Sequence, residues 1–349
     1  MAYHLLKQLR ESKDVDLFVI LLNHGKLAGE VEKLGVPLAV LDEKQLSSPR
    51  MFQQIRRFLD RHAPHVVHSH RYKENFIAYL CSRAHKGTRL VSTQHGMPEL
   101  IGRNASLKYR LIARVNFFLL AHSFHKIVAV SDDIKRTLTN EWGFSDAQVE
   151  TIPNGIPIEA PRHGPDGEAF VIGSCGRLVP VKDFPFMVEI AREVARSTDN
   201  VRFELAGDGP ERESIRHLIE KYGLEKHFLL RDYVEDVASF YSGLDLYLNT
   251  SLHEGIPMSV LEAMGHSIPV IASDVGGMNE ILENGVEGYL IKGREPKAFA
   301  DRCLELFRNE RLRTEMAEAT RVKVTQKFSV DRMAERYHRL YLDQAARCQ

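Results

Sequence analysis

The chain has 349 residues, enough for two domains of ordinary size. Its 44% hydrophobic and 27% charged residues are those of a globular protein, and Lys+Arg and Asp+Glu cancel at 47 each, so the charge balance argues against a dedicated nucleic-acid binder. Cys81, Cys175, Cys303 and Cys348 form no CxxC pair, so no zinc knuckle or disulfide framework is expected and a reducing, cytoplasmic location fits.

The opening residues, MAYHLLKQLRESKD, turn charged too soon for a signal peptide, and no apolar run reaches the ~20 residues of a membrane span. Short apolar strands then alternate with amphipathic helices. Strands are predicted at 16–22, 36–41, 66–68, 89–93, 126–129 and 149–152. Helices are predicted at 26–34, 49–62, 75–83, 106–121 and 132–140, the first ending at Gly35 and the last capped by Ser131. Residues 160–169, APRHGPDGEA, break the pattern and mark the predicted domain boundary. A second block runs from strand 170–174 through helices, and strands at 201–206, 227–230, 244–249, 269–272 and 288–291, to terminal helices. The expected division is 1–160, 161–327 and a last helical segment, 328–349, free to pack back on the first domain. Such alternation implies α/β architecture, two doubly wound parallel sheets facing a cleft, with functional residues just beyond strand ends.

In the second block, strand 170–174 leads into Cys175, Gly176, Arg177 and then Lys182. Two cations in one strand-end loop suit a diphosphate, Arg as a fork and Lys as a point charge, or are simply surface cations. Gly207, Asp208 and Gly209 follow strand 201–206 as a turn before a helix, with Asp208 also able to face the cleft. Strand 227–230 runs into Tyr233 and Val234, a loop against which a flat base would lie. After strand 244–249 come Glu254, Gly255, Ile256, Pro257 and Met258 at a helix start, whose backbone N–H groups form an anion site without metal. Glu254 has no structural task in this reading. Glu262 has one, because Ser259 to Glu262 reads as a capping box.

The motifs GRLVPVKD at 176–183, LAGDGPER at 205–212, EGIPMSVLEAMG at 254–265, PVIASDVGGMNEI at 269–281 and NGVEGYLI at 284–291 resemble those of the retaining glycosyltransferases of family 4 (glycosyl transferases group 1), which have the GT-B fold. The resemblance implies a nucleotide-diphosphate sugar as donor, UDP-sugar being the commonest, with no metal or other cofactor. It assigns Arg177 and Lys182 to the diphosphate, Glu254 to donor sugar hydroxyls and Glu262 to the ribose. The backbone of 256–258 would meet sugar and phosphate, and Gly176, Gly207, Asp208, Tyr233, Val234 and Gly255 complete the expected donor site. Ser267 stands where the family has Gly or another small residue, a departure from which little consequence is expected.

In the first block, His68, His70 and Tyr72 follow strand 66–68 and read as lining the acceptor side, and adjacent histidines without carboxylates are weak grounds for a metal. His95 follows strand 89–93, where the resemblance implies a histidine near the reaction centre. The basic, apolar helix 106–121 suits either packing on its sheet or contact with an anionic inner-membrane surface. Family members open with a strand and a Gly-Gly loop that have no counterpart here, so a GT-B fold lacking the first strand of its N-terminal domain is expected. The implied reaction is transfer of sugar to a saccharide or lipid-linked acceptor in cell-surface polysaccharide or glycolipid synthesis, without nucleic-acid partners. The alternatives are a GT-B epimerase or phosphorylase, and a catalytically impaired binding subunit. The absence of GxGxxG after an early strand argues against a nicotinamide dehydrogenase.

Overall fold

A computed structural model describes residues 1–83, 85, 87–96, 107–158 and 169–348 of the chain, so residues 160–168 of the predicted boundary 160–169, and Ser106 at the start of the predicted basic helix, lie outside the described residues. Two compact units result. Unit 1 comprises Met1–Gly155 with Val330–Gln349, and unit 2 comprises Ile156–Ser329.

The first pass of unit 1 runs α1 (Ala2–Leu9), β1 (Val19–Leu21), α2 (Lys26–Lys33), β2 (Leu38–Val40), α3 (Ser48–His62), β3 (Val66–Ser69), α4 (Tyr72–Ser82), β4 (Arg89–Gln94), α5 (Leu107–Ser123), β5 (Lys126–Ala129), α6 (Asp132–Trp142) and β6 (Val149–Thr151). Unit 2 runs β7 (Phe170–Cys175), α7 (Phe184–Ala195), β8 (Val201–Ala206), α8 (Arg212–Lys221), β9 (Phe228–Arg231), α9 (Val237–Ser242), β10 (Leu246–Asn249), α10 (Met258–Gly265), β11 (Val270–Ser273), α11 (Met278–Ile281), β12 (Gly288–Ile291), α12 (Pro296–Arg308) and α13 (Glu310–Lys327). The chain then returns to unit 1 as α14 (Val330–Ala345).

In unit 1 the strands are parallel but form two ladders, β1–β2 and β3–β4–β5–β6, with no pairing between β1 and β3 among the described residues. Successive residues of β4 point to opposite faces, as a strand requires. Leu90 packs with Phe117, Leu120 and Ile127 beneath α5 and α6. Val91 packs with Val128 against Leu5, Leu9, Met333 and Tyr337 of α1 and α14. Each such large apolar side chain contributes about 1.5–3 kcal/mol when fully buried. The Ser131 hydroxyl accepts a bond from the Ile134 N–H and caps α6, as its sequence position suggested.

Unit 2 is a six-stranded parallel sheet in the order β12-β11-β10-β7-β8-β9. The chain lays β8 and β9 on one side of β7, then crosses to place β10, β11 and β12 on the other. The order therefore reverses at the β7/β10 pair, and the loops leaving those two strands diverge at the crevice where doubly wound sheets bind ligands.

Candidate active site

The two loops at that reversal meet through an ion pair. The loop after β7 passes through a 3-10 turn, Pro180–Lys182, and brings Lys182 Nζ to 2.6 Å from Glu254 Oε1 in the loop after β10. The Ser251 hydroxyl donates to the same carboxylate oxygen at 2.6 Å. Glu254 is buried at 9% exposure, so this carboxylate is held by two short charge-assisted bonds. The Glu254 backbone is clamped as well. Its carbonyl accepts from the Gly277 N–H at 3.1 Å. A Cβ on Gly276, whose φ is +53°, would sit 1.9 Å from that carbonyl oxygen. The Gly-Gly pair of the 269–281 motif thus lets the loop after β11 lie directly on Glu254.

Arg294 joins the same edge, a residue that sequence reasoning did not single out. Its guanidinium donates to the Thr250 carbonyl at 2.8 Å and the Ser273 hydroxyl at 2.9 Å, pairs with Asp183 and stacks 3.9 Å above the Phe186 ring. It therefore ties the ends of β10 and β11 to the start of α7. Arg177, in the same loop after β7 as Lys182, is exposed and has no ion pair among the described residues.

A second loop crossing lies at the ends of β7 and β8. The Gly176 N–H donates to the Ala206 carbonyl at 3.0 Å, and a Cβ on Gly207 would fall 1.9 Å from the Gly176 carbonyl oxygen. The Asp208 carboxylate accepts from the Gly209 N–H at 2.8 Å, which is its turn role. Arg212 bonds the Gly207 and Arg231 carbonyls and pairs with Asp232 at 2.7 Å, fixing the loop that carries Tyr233 and Val234. Tyr233 is 65% exposed, whereas Val234 packs against the core beneath α10.

The helix after Glu254 departs from the sequence reading. The residue at the cap position of α10 is Pro257, and Ser259 already lies inside the helix. Proline has no N–H to satisfy and holds φ at −72°, so the helix starts before Ser259, and no capping box forms. Glu262 instead accepts from the Tyr241 hydroxyl at 3.0 Å, in a polar cluster where Tyr241 also meets Cys175 Sγ at 3.1 Å. Burial raises the Glu262 pKa, opposed by the Tyr241 bond, and burial likewise pushes up the Cys175 thiol. Ile256 and Pro257 are buried, Gly255 and Met258 half-buried, which leaves the α10 entry to offer backbone rather than side chains.

Ser267 also proves less neutral than expected. It follows α10 with φ +60° and its hydroxyl is buried without a hydrogen-bond partner. The Ile268 N–H closes back on the Ala263 carbonyl at 3.1 Å, a left-handed helix ending that glycine adopts without strain.

In unit 1, the ends of β3 and β4 bring three histidines together. His70 Nδ1 lies 3.1 Å from His95 Nε2, and the His68 and His70 rings are 4.3 Å apart. His68 is held between Thr93 Oγ1 at 2.8 Å and the Tyr341 hydroxyl at 2.6 Å, and Thr93 also meets the Tyr337 hydroxyl at 2.8 Å. The terminal helix α14 therefore buttresses the histidine cluster. Burial pulls the pKa of His68 well down. With neighbouring positive charge it brings His70 to about 3 and His95 to about 4. One ring of the His70–His95 pair donates while the other accepts, as two neutral imidazoles do. Tyr72, the first residue of α4, is half-buried. Among the described residues no group of three or more His, Cys, Asp or Glu is arranged to hold a metal ion.

Two Rossmann-like parallel α/β units are the components of the GT-B fold. The family models agree: the one described as Glycosyl transferases group 1 matches residues 156–323 and Glycosyltransferase Family 4 matches 1–160, and the chain belongs to this family of enzymes. It is 22% identical over 356 residues to an Escherichia coli UDP-Gal:alpha-D-GlcNAc-diphosphoundecaprenol alpha-1,3-galactosyltransferase, covering 96% of this chain and 91% of that relative. It is 27% identical over 223 residues, 63% of the chain, to a Staphylococcus aureus poly(ribitol-phosphate) alpha-N-acetylglucosaminyltransferase, and spans 44% of that relative's length. The crystal structure of Anabaena HepE in complex with UDP superposes with a TM-score of 0.82 at 20% identity, over 97% of this chain and 95% of that one, a likeness of fold.

Proposed function

We propose that this glycosyltransferase moves a sugar from a UDP-sugar, with retained anomeric configuration and no metal, to a saccharide or lipid-linked acceptor in cell-surface polysaccharide or glycolipid synthesis. The observation that carries the reading is the Lys182–Glu254 pair at the strand-order reversal, with Arg177 in the same loop as Lys182. Lys182 and Arg177 neutralise the diphosphate, the task a metal performs elsewhere. Glu254, oriented by Lys182 and Ser251, accepts bonds from donor sugar hydroxyls. Glu262 presents a carboxylate to the ribose with its orientation set by Tyr241. The loop of Tyr233 and Val234 receives the base, and the 255–258 backbone receives sugar and phosphate. In the transfer, the bond between the anomeric carbon and the diphosphate oxygen breaks. The acceptor oxygen bonds the same face, and its proton passes to the departing diphosphate. His95, neutral by its lowered pKa, stabilises the reacting sugar by hydrogen bonding, and His68, His70 and Tyr72 are assigned to the acceptor side. Relatives whose names specify UDP-galactose and N-acetylglucosamine transfer, and a fold neighbour bound to UDP, support the UDP donor.

The test is a thermal-shift panel of UDP-, GDP- and ADP-sugars, in which UDP-sugars are expected to raise the melting temperature with and without EDTA. A shift confined to another base overturns the donor assignment, and a shift abolished by EDTA overturns metal independence. An inverted product anomer in the NMR spectrum would reject the retaining chemistry.

A further inference from the structure

Arg294 lies outside every motif that assigns the donor site, in the loop between β12 and α12. Its guanidinium nevertheless reaches the ends of three other strands. Nη1 donates to the Thr250 carbonyl just beyond β10 and to the hydroxyl of Ser273, the last residue of β11. Nη2 pairs with Asp183 in the loop after β7, and the face of the group covers the Phe186 ring of α7. A planar fork of N–H donors serves three partners while stacking on a ring, which the point charge of a lysine does not do.

Each polar partner is joined to the Lys182–Glu254 pair. Asp183 follows Lys182 directly. Its φ of +45° lies in the left-handed region that a residue with a Cβ occupies at a cost, so the turn that aims Lys182 requires an external hold, and Arg294 supplies one. Thr250 precedes Ser251, whose hydroxyl donates to Glu254, and the Thr250 hydroxyl donates to the Lys182 carbonyl at 3.0 Å. Thr250 and Ser251 are each 1% exposed, so water does not replace either bond. The Leu252 N–H adds a bond to the Val181 carbonyl at 2.8 Å. Ser273 leads into the loop whose Gly277 N–H donates to the Glu254 carbonyl. Releasing Arg294 therefore loosens Lys182 and Glu254 together. Nη1 and Nη2 are both engaged by protein groups, so the task of this side chain is to hold other residues. We propose that Arg294 is a positioning residue of the donor site, which acts on the diphosphate through Lys182. The proposal rests on the reading in which Lys182 neutralises that diphosphate.

Titration calorimetry with UDP and ligand-observed NMR with uridine test it. Arg294→Lys keeps the positive charge and loses the fork. It is expected to weaken UDP binding about tenfold, the contribution of one charge-assisted bond, and to leave uridine binding unchanged. In a Lys182→Met background the same substitution should cost less than about twofold, because the group it aims is gone. Thr250→Val deletes the tether to the Lys182 carbonyl at nearly constant volume and should repeat the pattern, which supplies the test if melting curves show that Arg294→Lys does not fold. A parent that does not bind UDP, or a Lys182→Met protein that binds it as the parent does, overturns the diphosphate reading and the proposal with it. A penalty that is absent, equal in both backgrounds, or equal for UDP and uridine overturns the proposal alone.

Discussion

Replacing Lys182 by Met removes the ammonium and keeps most of the apolar stem. Glu254 then remains buried with the Ser251 hydroxyl as its side-chain donor. Stripping one partner from a buried pair costs about 3–5 kcal/mol. The Lys182 side chain is 24% exposed, so solvent reaches the gap and about 2–3 kcal/mol is expected here. For a unit of this size that is a fall of about 5–10 °C in melting temperature. Glu254→Gln removes the buried charge, keeps an acceptor for Ser251 and leaves Lys182 near solvent, so it should cost about 1 kcal/mol. The double variant should be more stable than Lys182→Met alone, with a coupling energy of about 2 kcal/mol. Urea titration followed by far-UV circular dichroism measures the cycle. The single tryptophan, Trp142, lies in unit 1 against Phe117, so its fluorescence serves as an internal control on the other unit. A Lys182→Met protein as stable as the parent, or a double variant no better than that single one, would refute the claim that the pair is a closed, buried interaction.

Other substitutions probe the loops and the histidines. Ser267→Gly should stabilise unit 2 by about 0.5–1 kcal/mol, because φ +60° strains any residue with a Cβ; a lower melting temperature would show that the strain is absent. Gly276→Ala should lower both melting temperature and UDP-sugar binding, since its Cβ would overlap the Glu254 carbonyl, and wild-type behaviour in both would reject the crossing. The stability of unit 1 should fall as pH drops from about 6.5 towards 4. The unfolded chain binds protons there that neutral His68, His70 and His95 refuse, so stability is full above the unfolded pKa and is lost on the acid side. Trp142 fluorescence melts across that range should show the slope, and His70→Asn should flatten it; a pH-independent parent melt would contradict the burial argument.

Much of the α/β alternation was legible because β-strand runs and 3.6-residue periods are local properties. Glu254 was legible for the opposite reason, as a charge that local structure did not explain. Its partners were not, because Lys182 lies 72 residues earlier and only the sheet order makes them neighbours. Arg294 was invisible in sequence for the same reason. The capping-box reading of Ser259 and Glu262 failed on one residue: Pro257 takes the helix start and turns Glu262 towards Tyr241. The His70–His95 contact follows from pairing that places Ser69 beside Ser92, so residues just beyond two adjacent parallel strands converge.

The donor-side motifs share one physical logic. At the ends of β7 and β8 a glycine lets one loop rest on the next, Gly207 on the Gly176 carbonyl, and at the ends of β10 and β11 another does the same, Gly276 on the Glu254 carbonyl. Each crossing brings backbone to within hydrogen-bond reach of backbone, through Gly176 N–H to Ala206 and Gly277 N–H to Glu254. A side chain at either place would force the loops apart and carry Lys182 away from Glu254. The glycines therefore position charges that they do not touch. A substitution in the 205–212 or 269–281 motif should act on the diphosphate and sugar contacts made by 176–183 and 254–265, through displaced loops rather than lost ligands.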